Sequence, residues 1–351
     1  MDDARAGTGV KSDARSTPAD VGFRMPAEWA PHRRCWMAWP CCTETFPDLD
    51  PVREAFARVA RAIARFEPLT MVADPEDADA ARRSCGEGVH VVAIPIDDSW
   101  IRDTGPTFLR DGRGSLAGVD WRFNCWGGLK DDYEDDARLA GRVLELSGAR
   151  RFEPPLVLEG GAIHTDGEGT LLTTENVVLN PNRNPGLSRA DAEEVFRAFL
   201  GVETVIWLDK ALEVDATDGH VDNLACFVRP GVVAALSEPD PADPHHAPLR
   251  ENRRRLELAE DAHGRRLTIL DIREPARREH DGLRLAMSYI NHYVANGGVV
   301  LPVFDDPADE PAREALARAF PDREVVTVPG LPIVKNGEGC VHCITQQEPA
   351  P

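Results

Sequence analysis

Two thiols near the chain end, set among glycines, are the first residues here that point to covalent chemistry. They lie in Gly337-Glu338-Gly339-Cys340-Val341-His342-Cys343-Ile344-Thr345-Gln346-Gln347-Glu348, where Gly339 leaves room for a ligand beside the backbone. Cysteine is also among the most buried residue types, so this stretch alone leaves open a packed free thiol in a last strand. A second segment, Val214-Asp215-Ala216-Thr217-Asp218-Gly219-His220-Val221-Asp222-Asn223-Leu224, is polar and turn-like before it turns apolar. It predicts a loop entering a buried strand, with His220 and Asp222 on one face because residues two apart share a face when extended. Histidine and carboxylate together with a distant cysteine are the ingredients of nucleophilic thiol catalysis. A third segment, Asp97-Asp98-Ser99-Trp100-Ile101-Arg102-Asp103-Thr104-Gly105-Pro106, follows the apolar run 89–96. Paired carboxylates grip a guanidinium through charge-assisted hydrogen bonds, and an indole stacks on its plane. A solvated acidic turn with Arg102 paired locally accounts for the same segment.

Taken in order with other motifs, these segments resemble the agmatine deiminases, a branch of the guanidine-modifying (pentein) superfamily. The resemblance runs from about Met25 to Gln347. It rests also on Met25-Pro26-Ala27-Glu28-Trp29, Trp36-Met37-Ala38-Trp39-Pro40, Trp121-Arg122-Phe123-Asn124-Cys125-Trp126-Gly127-Gly128, Glu159-Gly160-Gly161, Asn180-Pro181-Asn182-Arg183-Asn184-Pro185 and Ala295-Asn296-Gly297-Gly298. The resemblance implies that Cys343 is the nucleophile and His220 the general acid and base. Asp103 and Asp222 become the carboxylates that hold a guanidinium, and Glu159 an acid beside the histidine. Asp97, Trp100, Asp218, Trp126 and Gly339 would line the substrate. The implied activity is hydrolysis of agmatine to N-carbamoylputrescine and ammonia through an amidino-cysteine, a step of putrescine biosynthesis and arginine catabolism.

The chain departs from the family pattern at several positions. Ala216 stands where an acid is frequent, Ala162 where serine is expected, and His292 where an aromatic is usual. Glu338 and Cys340 interrupt a run that is commonly glycine or asparagine, and Cys41-Cys42 follow the second tryptophan motif. These changes leave the implied catalytic set intact and bear on the distal end of the substrate. Three functions therefore stand side by side: a deiminase of agmatine or another guanidino compound, an amidinotransferase using the same Cys/His site, and a non-catalytic guanidine binder.

The elements that must position these residues alternate between helix and strand, as α/β architectures require. Apolar residues at three- and four-residue spacing predict helices through Phe56, Val59, Ala60, Ile63 and Phe66, and through Leu139, Val143 and Leu146. A third runs from Ser188, an N-cap with Asp191 three residues on, to Leu200 and stops at Gly201. Short apolar runs between them predict strands. No internal repeat of fixed period is visible, so the five-bladed pseudo-symmetric ββαβ propeller is implied by the resemblance and not by periodicity. Residues 21–348 are expected to form one catalytic domain behind a disordered tail at 1–20, which is rich in Asp, Ala, Ser and Gly. The proline-rich stretch from Ser237 to Leu249 reads as a surface loop exposing His245 and His246.

Composition adds boundaries. A net charge of −20 over 351 residues argues against nucleic-acid binding and suits a small cationic substrate. No apolar run is long enough to span a membrane. Eight cysteines and no secretory signal indicate a reducing, cytoplasmic setting rather than a disulfide framework. Zinc at Cys340, His342 and Cys343 is disfavoured, since paired C-x-x-C knuckles are absent and strand alternation would point His342 away from Cys343. The glycine pairs lack dinucleotide or P-loop spacing, so no metal, nucleotide or flavin is expected. A homodimer is expected from the resemblance alone.

Overall fold

Among the described residues, five small sheets repeat one order of elements: a strand, an antiparallel neighbour, a helix, and a third strand parallel to the second. The computed structural model describes residues 16–209, 212–213 and 215–350. One sheet holds β1 (His32–Ala38), β2 (Leu69–Ala73) and β3 (Val89–Ala93), with the helix Leu49–Ile63 between β1 and β2. The second holds β4 (Thr107–Arg110), β5 (Leu116–Val119) and β6 (Arg150–Phe152), with Asp136–Ser147 as crossover helix. The third holds β7 (Ile163–Thr165), β8 (Thr170–Thr174) and β9 (Thr204–Leu208), joined by the helix Arg189–Leu200. In the fourth, β10 (Ala225–Arg229) and β11 (Val232–Ser237) meet β12 (Thr268–Arg273) through the helix His246–Leu258. A two-stranded hairpin, β13 (Glu279–His280) with β14 (Leu283–Arg284), precedes the fifth, which holds β15 (Tyr293–Ala295), β16 (Gly298–Val303) and β17 (Glu324–Pro329) with the helix Asp309–Ala319. The last strand, β18 (Thr345–Pro349), returns to pair antiparallel with β1. It supplies the first sheet's antiparallel member and ties the chain's end to its beginning. The result is a mixed α/β fold in a single domain.

Local chemistry explains these boundaries. Ser188 Oγ accepts from the Asp191 amide while the Asp191 side chain accepts from the Ser188 amide, a reciprocal cap. Gly201 closes that helix at φ +70°, a conformation that costs a residue with a Cβ. Phe56, Val59, Ala60 and Ile63 are buried on one face of the first helix. In the second crossover helix Leu139 and Val143 are buried as expected, but Leu146 is 56% exposed and Leu144 takes the inward position. The inner strands β2, β8 and β16 read as short apolar runs and are buried almost throughout, while the outer strands β3, β6, β12 and β17 are partly exposed.

The expected tail lies outside the described residues as far as residue 15. From Ser16 onward the chain is placed, with Thr17 bonded to Asp20 and a 3-10 turn at Ala19–Val21. The Ser237 to Leu249 stretch is shorter as a loop than expected, since a helix begins at His246. His245 is buried, not exposed, because its Nδ1 pairs with Glu274 and its Nε2 accepts the Glu213 amide. Among the described residues no helix is long and apolar enough to cross a membrane.

Candidate active site

The segments that lead into the first strand of each sheet all deliver polar side chains to one place. Asp103 sits on the helical turn Ile101–Thr104 ahead of β4, and Glu159 caps the 3-10 turn Gly160–Ala162 ahead of β7. His220 and Asp222 come from the turn before β10, Asn291 from the residues before β15, and Cys343 from the turn before β18. Asp222 lies in the 3-10 turn Val221–Asn223 rather than in a strand. His220 and Asp222 therefore converge through a turn and not through strand alternation. The same correction applies at the chain end, where β18 starts only at Thr345. His342 and Cys343 both reach Asp222 Oδ2, at 2.8 and 3.3 Å, so they do not point apart.

Cys343 is 5% exposed and borders a cavity of about 220 Å³, shared with Trp100, Asp103, Trp126, Gly339, Glu338 and Ala216. Its thiol donates to Asp222, and Asn291 Nδ2 donates to its sulfur at 3.1 Å. Asn291 Oδ1 accepts from the amides of Cys340 and His342, at 3.1 and 3.0 Å, which fixes the turn bearing the nucleophile. Asp103 accepts from Trp126 Nε1 and from the Gly161 amide, each at 2.9 Å. A Cβ on Gly339 would lie 2.8 Å from the Trp100 ring and 3.1 Å from Cys343 Sγ, so only glycine fits this wall. Gly161 plays a similar part deeper in, where a Cβ would meet His220, Asp103 and Asp222.

His220 is fully buried, with Nδ1 3.8 Å from Asp103 and Nε2 3.5 Å from Glu159. These are ion-pair separations and not formed hydrogen bonds, so its nitrogens can still engage a reacting group. Burial works against its charge, but Asp103, Glu159 and Asp222 raise its pKa to about 9. Glu159 is buried too, yet His220 and Arg183 hold it below the usual carboxylate range. Asp103 moves the other way, because burial and the neighbouring Asp222 and Glu159 outweigh His220. Asp222 is lowered despite burial by His342 and His220. The Cys343 thiol is pushed well above its ordinary value by burial and by the carboxylates of Asp222 and Asp103, so it is protonated in this arrangement.

Several participants escaped the sequence reading. Asn291 lies one residue from His292, the position where the family pattern has an aromatic. Arg183 reaches Glu159 at 2.8 Å and Asp218 at 2.8 Å from a turn recognised only as a motif. Glu28 binds His342 Nε2 at 2.8 Å, while Asp222 takes Nδ1. Carboxylates on both ring nitrogens require two N–H donors, and His342 is accordingly raised in pKa even against burial and Arg102. Arg102 is not a surface cation in an acidic turn, since it is buried beside Glu28 and the His342 carbonyl. No local pattern signals any of these four, because each partner is distant in sequence.

Two expected lining residues sit elsewhere. Asp97 Oδ2 accepts from the amides of Asp135 and Asp136, capping a helix start instead of facing the thiol. Asp218, at φ +66°, is tied to Arg183 and Asn182 behind the site. Asp98 lines the cavity in place of Asp97, but Lys130 lies 2.9 Å from it and offsets its charge. One cluster with metal-like geometry occurs among the described residues, Asp243 with His245 and Glu274. Arg284 bonds both of its carboxylates, at 2.6 and 2.8 Å, and so already supplies the cation there.

Known proteins share this architecture over nearly the whole chain. A relative from Streptomyces avermitilis is 50% identical over 344 residues, covering 95% of this chain and 99% of its own. The agmatine deiminase of Pseudomonas aeruginosa (strain LESB58) is 46% identical over 365 residues, covering 97% of this chain and 99% of its own. The structure of the agmatine deiminase of Enterococcus faecalis superposes with a TM-score of 0.93 at 36% identity, covering 96% of this chain and 98% of that one. Residues 24–349 match the family of Porphyromonas-type peptidyl-arginine deiminases, and the chain belongs to that family.

Proposed function

We propose that this protein is an agmatine deiminase, hydrolysing agmatine to N-carbamoylputrescine and ammonia. The observation that carries the reading is that Cys343 and Asp103 line one small cavity, with Asp222 bonded to the Cys343 thiol and His220 3.8 Å from Asp103 directly behind them. In the same reading the five ββαβ sheets are the blades of a pseudo-symmetric propeller, because the segment entering each sheet's first strand contributes to one site. Residues 21–348 form its single catalytic domain. A homodimer is proposed on the family resemblance and a cytoplasmic setting on the eight cysteines, and the net charge of −20 supports the absence of a nucleic-acid partner.

The geometry performs the reaction as follows. The guanidinium enters between Asp103 and Asp222, whose carboxylates accept its N–H groups. Its charge offsets the two anions that keep the Cys343 thiol protonated, so the thiol pKa falls when the substrate arrives. The thiol releases its proton to solvent in the cavity, the thiolate adds to the guanidinium carbon, and a carbon–sulfur bond forms as the electrons of one carbon–nitrogen π bond move onto nitrogen. His220, charged in the free site, gives its proton to the leaving nitrogen, the carbon–nitrogen bond breaks, and ammonia departs. The amidino-cysteine that remains is attacked by water, with neutral His220 taking a proton. Collapse of that adduct breaks the carbon–sulfur bond, restores the thiol and releases the ureido product. Glu159 and Arg183 hold His220 in place, and Asn291 holds the sulfur.

The deciding experiment is ammonia release by metal-free protein given agmatine, then arginine. Ammonia with N-carbamoylputrescine and no added acceptor is expected. Product formed only with an amine acceptor would make the protein an amidinotransferase, and silence with both guanidines would make it a binding protein.

A further inference from the structure

Two positions where the sequence departs from the family pattern meet at the rim of the Cys343 cavity. Glu338 Oε2 accepts a hydrogen bond from the Ala216 amide at 2.6 Å, and both residues line the cavity. Ala216 offers no charge of its own.

Glu338 stands where local energetics oppose it. It is the residue after the helix Leu331–Gly337 and adopts φ +53°, the left-handed region normally given to glycine. A carboxylate at a helix C-terminus also faces the negative end of the helix dipole. A residue held against two local preferences at a cavity wall points to a role in binding. The other acids on this wall are differently placed. Asp98 is offset by Lys130, Asp103 lies at the thiol end bonded to Trp126 and Gly161, and Glu44 is exposed to solvent. Glu338 is half-buried and pinned, and it adjoins Gly339, which packs against Trp100 and Cys343. A substrate whose guanidinium lies at Cys343 would run its methylenes along Trp100 and Trp126 toward this carboxylate.

We propose that Glu338 anchors the distal ammonium of a guanidino-amine substrate, doing from the end of that helix what an acid at position 216 would do. The inference rests on the guanidinium site described above and adds the residue that selects the other end. The partner would be a cation on a flexible chain, so an α-carboxylate at the same end is repelled by Glu338.

The test compares agmatine with butylguanidine, which lacks the ammonium, in the wild type and in Glu338→Gln. Glutamine keeps an oxygen for the Ala216 amide and removes the charge. The preference for agmatine over butylguanidine in kcat/KM should fall about tenfold, mostly through KM, because a partly exposed pair is screened by solvent. Ala216→Glu in the Glu338→Gln background should restore the preference. Should Glu338→Gln fold poorly, Glu338→Gly gives the same comparison on a residue suited to φ +53°. An unchanged preference in these variants overturns the assignment of Glu338. Failure of the wild type to turn over either guanidine would instead overturn the guanidinium site itself.

Discussion

Adding one methyl group at Gly161 tests whether the catalytic side chains are held as rigidly as the structure indicates. Its φ is not in the left-handed region, so alanine is acceptable to the backbone and the effect is steric. The new Cβ would lie 2.6 Å from His220 Nδ1, 2.9 Å from Asp103 Oδ1 and 3.0 Å from Asp222 Oδ2. Ordinary contact begins near 3.4 Å, so His220 must retreat by roughly 0.8 Å (3.4 − 2.6) and the carboxylates by about half that. None can move freely, since His220 is enclosed, Asp103 is bonded to Trp126, and Asp222 is bonded to His342. A misplacement near 1 Å costs a reaction of this kind about 10²-fold, or about 3 kcal/mol of barrier. Overpacking should also lower stability by about 1–3 kcal/mol. Steady-state kcat with agmatine and the thermal midpoint would both be measured on Gly161→Ala. Gly112→Ala is the control. Its φ of +67° lies in a surface turn with nothing within 4 Å, so it should lose about 1–2 kcal/mol of stability and keep its kcat. A Gly161→Ala protein with kcat within threefold of wild type would refute the argument that these three groups bound the reacting space.

Cys343→Ala should lower turnover by at least about 10⁴-fold while agmatine binding stays measurable by calorimetry, because the carboxylates remain. Cys340→Ala should keep its activity, since Cys340 does not border the cavity, and the opposite outcome would move the nucleophile to Cys340. The pH dependence follows from His220, whose pKa is raised from 6.5 to about 9. The acid that protonates the leaving nitrogen is then present below pH 9, so kcat/KM should fall as pH rises through about 9. The same shift makes His220 stabilising to the fold, fully below pH 6.5 and progressively less as pH rises through about 9. Urea denaturation at pH 6 and pH 9.5 should show that loss in the wild type and a smaller one in His220→Asn. Equal losses in the two proteins would remove His220 as its source.

Legibility in the sequence tracked how local each signal was. The Ser188 cap, the Gly201 stop and the inward residues of the first helix are set by neighbours within one or two turns, and they were readable. The part played by the tryptophans is half legible, since both are expected to line the substrate and the bond to Asp103 is not. Trp100 stood three residues away and does line the cavity, while the hydrogen bond comes from Trp126. The pattern around Asp222 predicts a strand where the structure has a turn, and His220 and Asp222 still come together because a tight turn and a strand can each bring near neighbours together. Asp97 shows the limit of composition, since two adjacent acids look alike until one is claimed by the amides of Asp135 and Asp136. The repeated sheet unit was invisible because its five copies share geometry and not residues.

The buried charges explain why such a site would keep its thiol neutral at rest. Glu159 has Arg183 and His220, and Glu28 has His342 and Arg102. Asp103 is bonded only to neutral donors, with His220 at 3.8 Å, and Asp222 Oδ1 is buried without a hydrogen bond among the described residues. Asp222 shares the charged His342 with Glu28, which leaves Asp103 the less compensated of the two, and after burial these two carboxylates are what pushes the Cys343 thiol upward. Leaving a buried anion without its partner is costly, so a cation placed between them stabilises both at once. The event that satisfies the carboxylates is thus the event that permits the thiolate. Selection for a cation then acts on formation of the nucleophile as well as on binding. A neutral isostere that fills the cavity would leave the sulfur protonated and, as a thiol, poorly reactive toward carbon and oxidants alike.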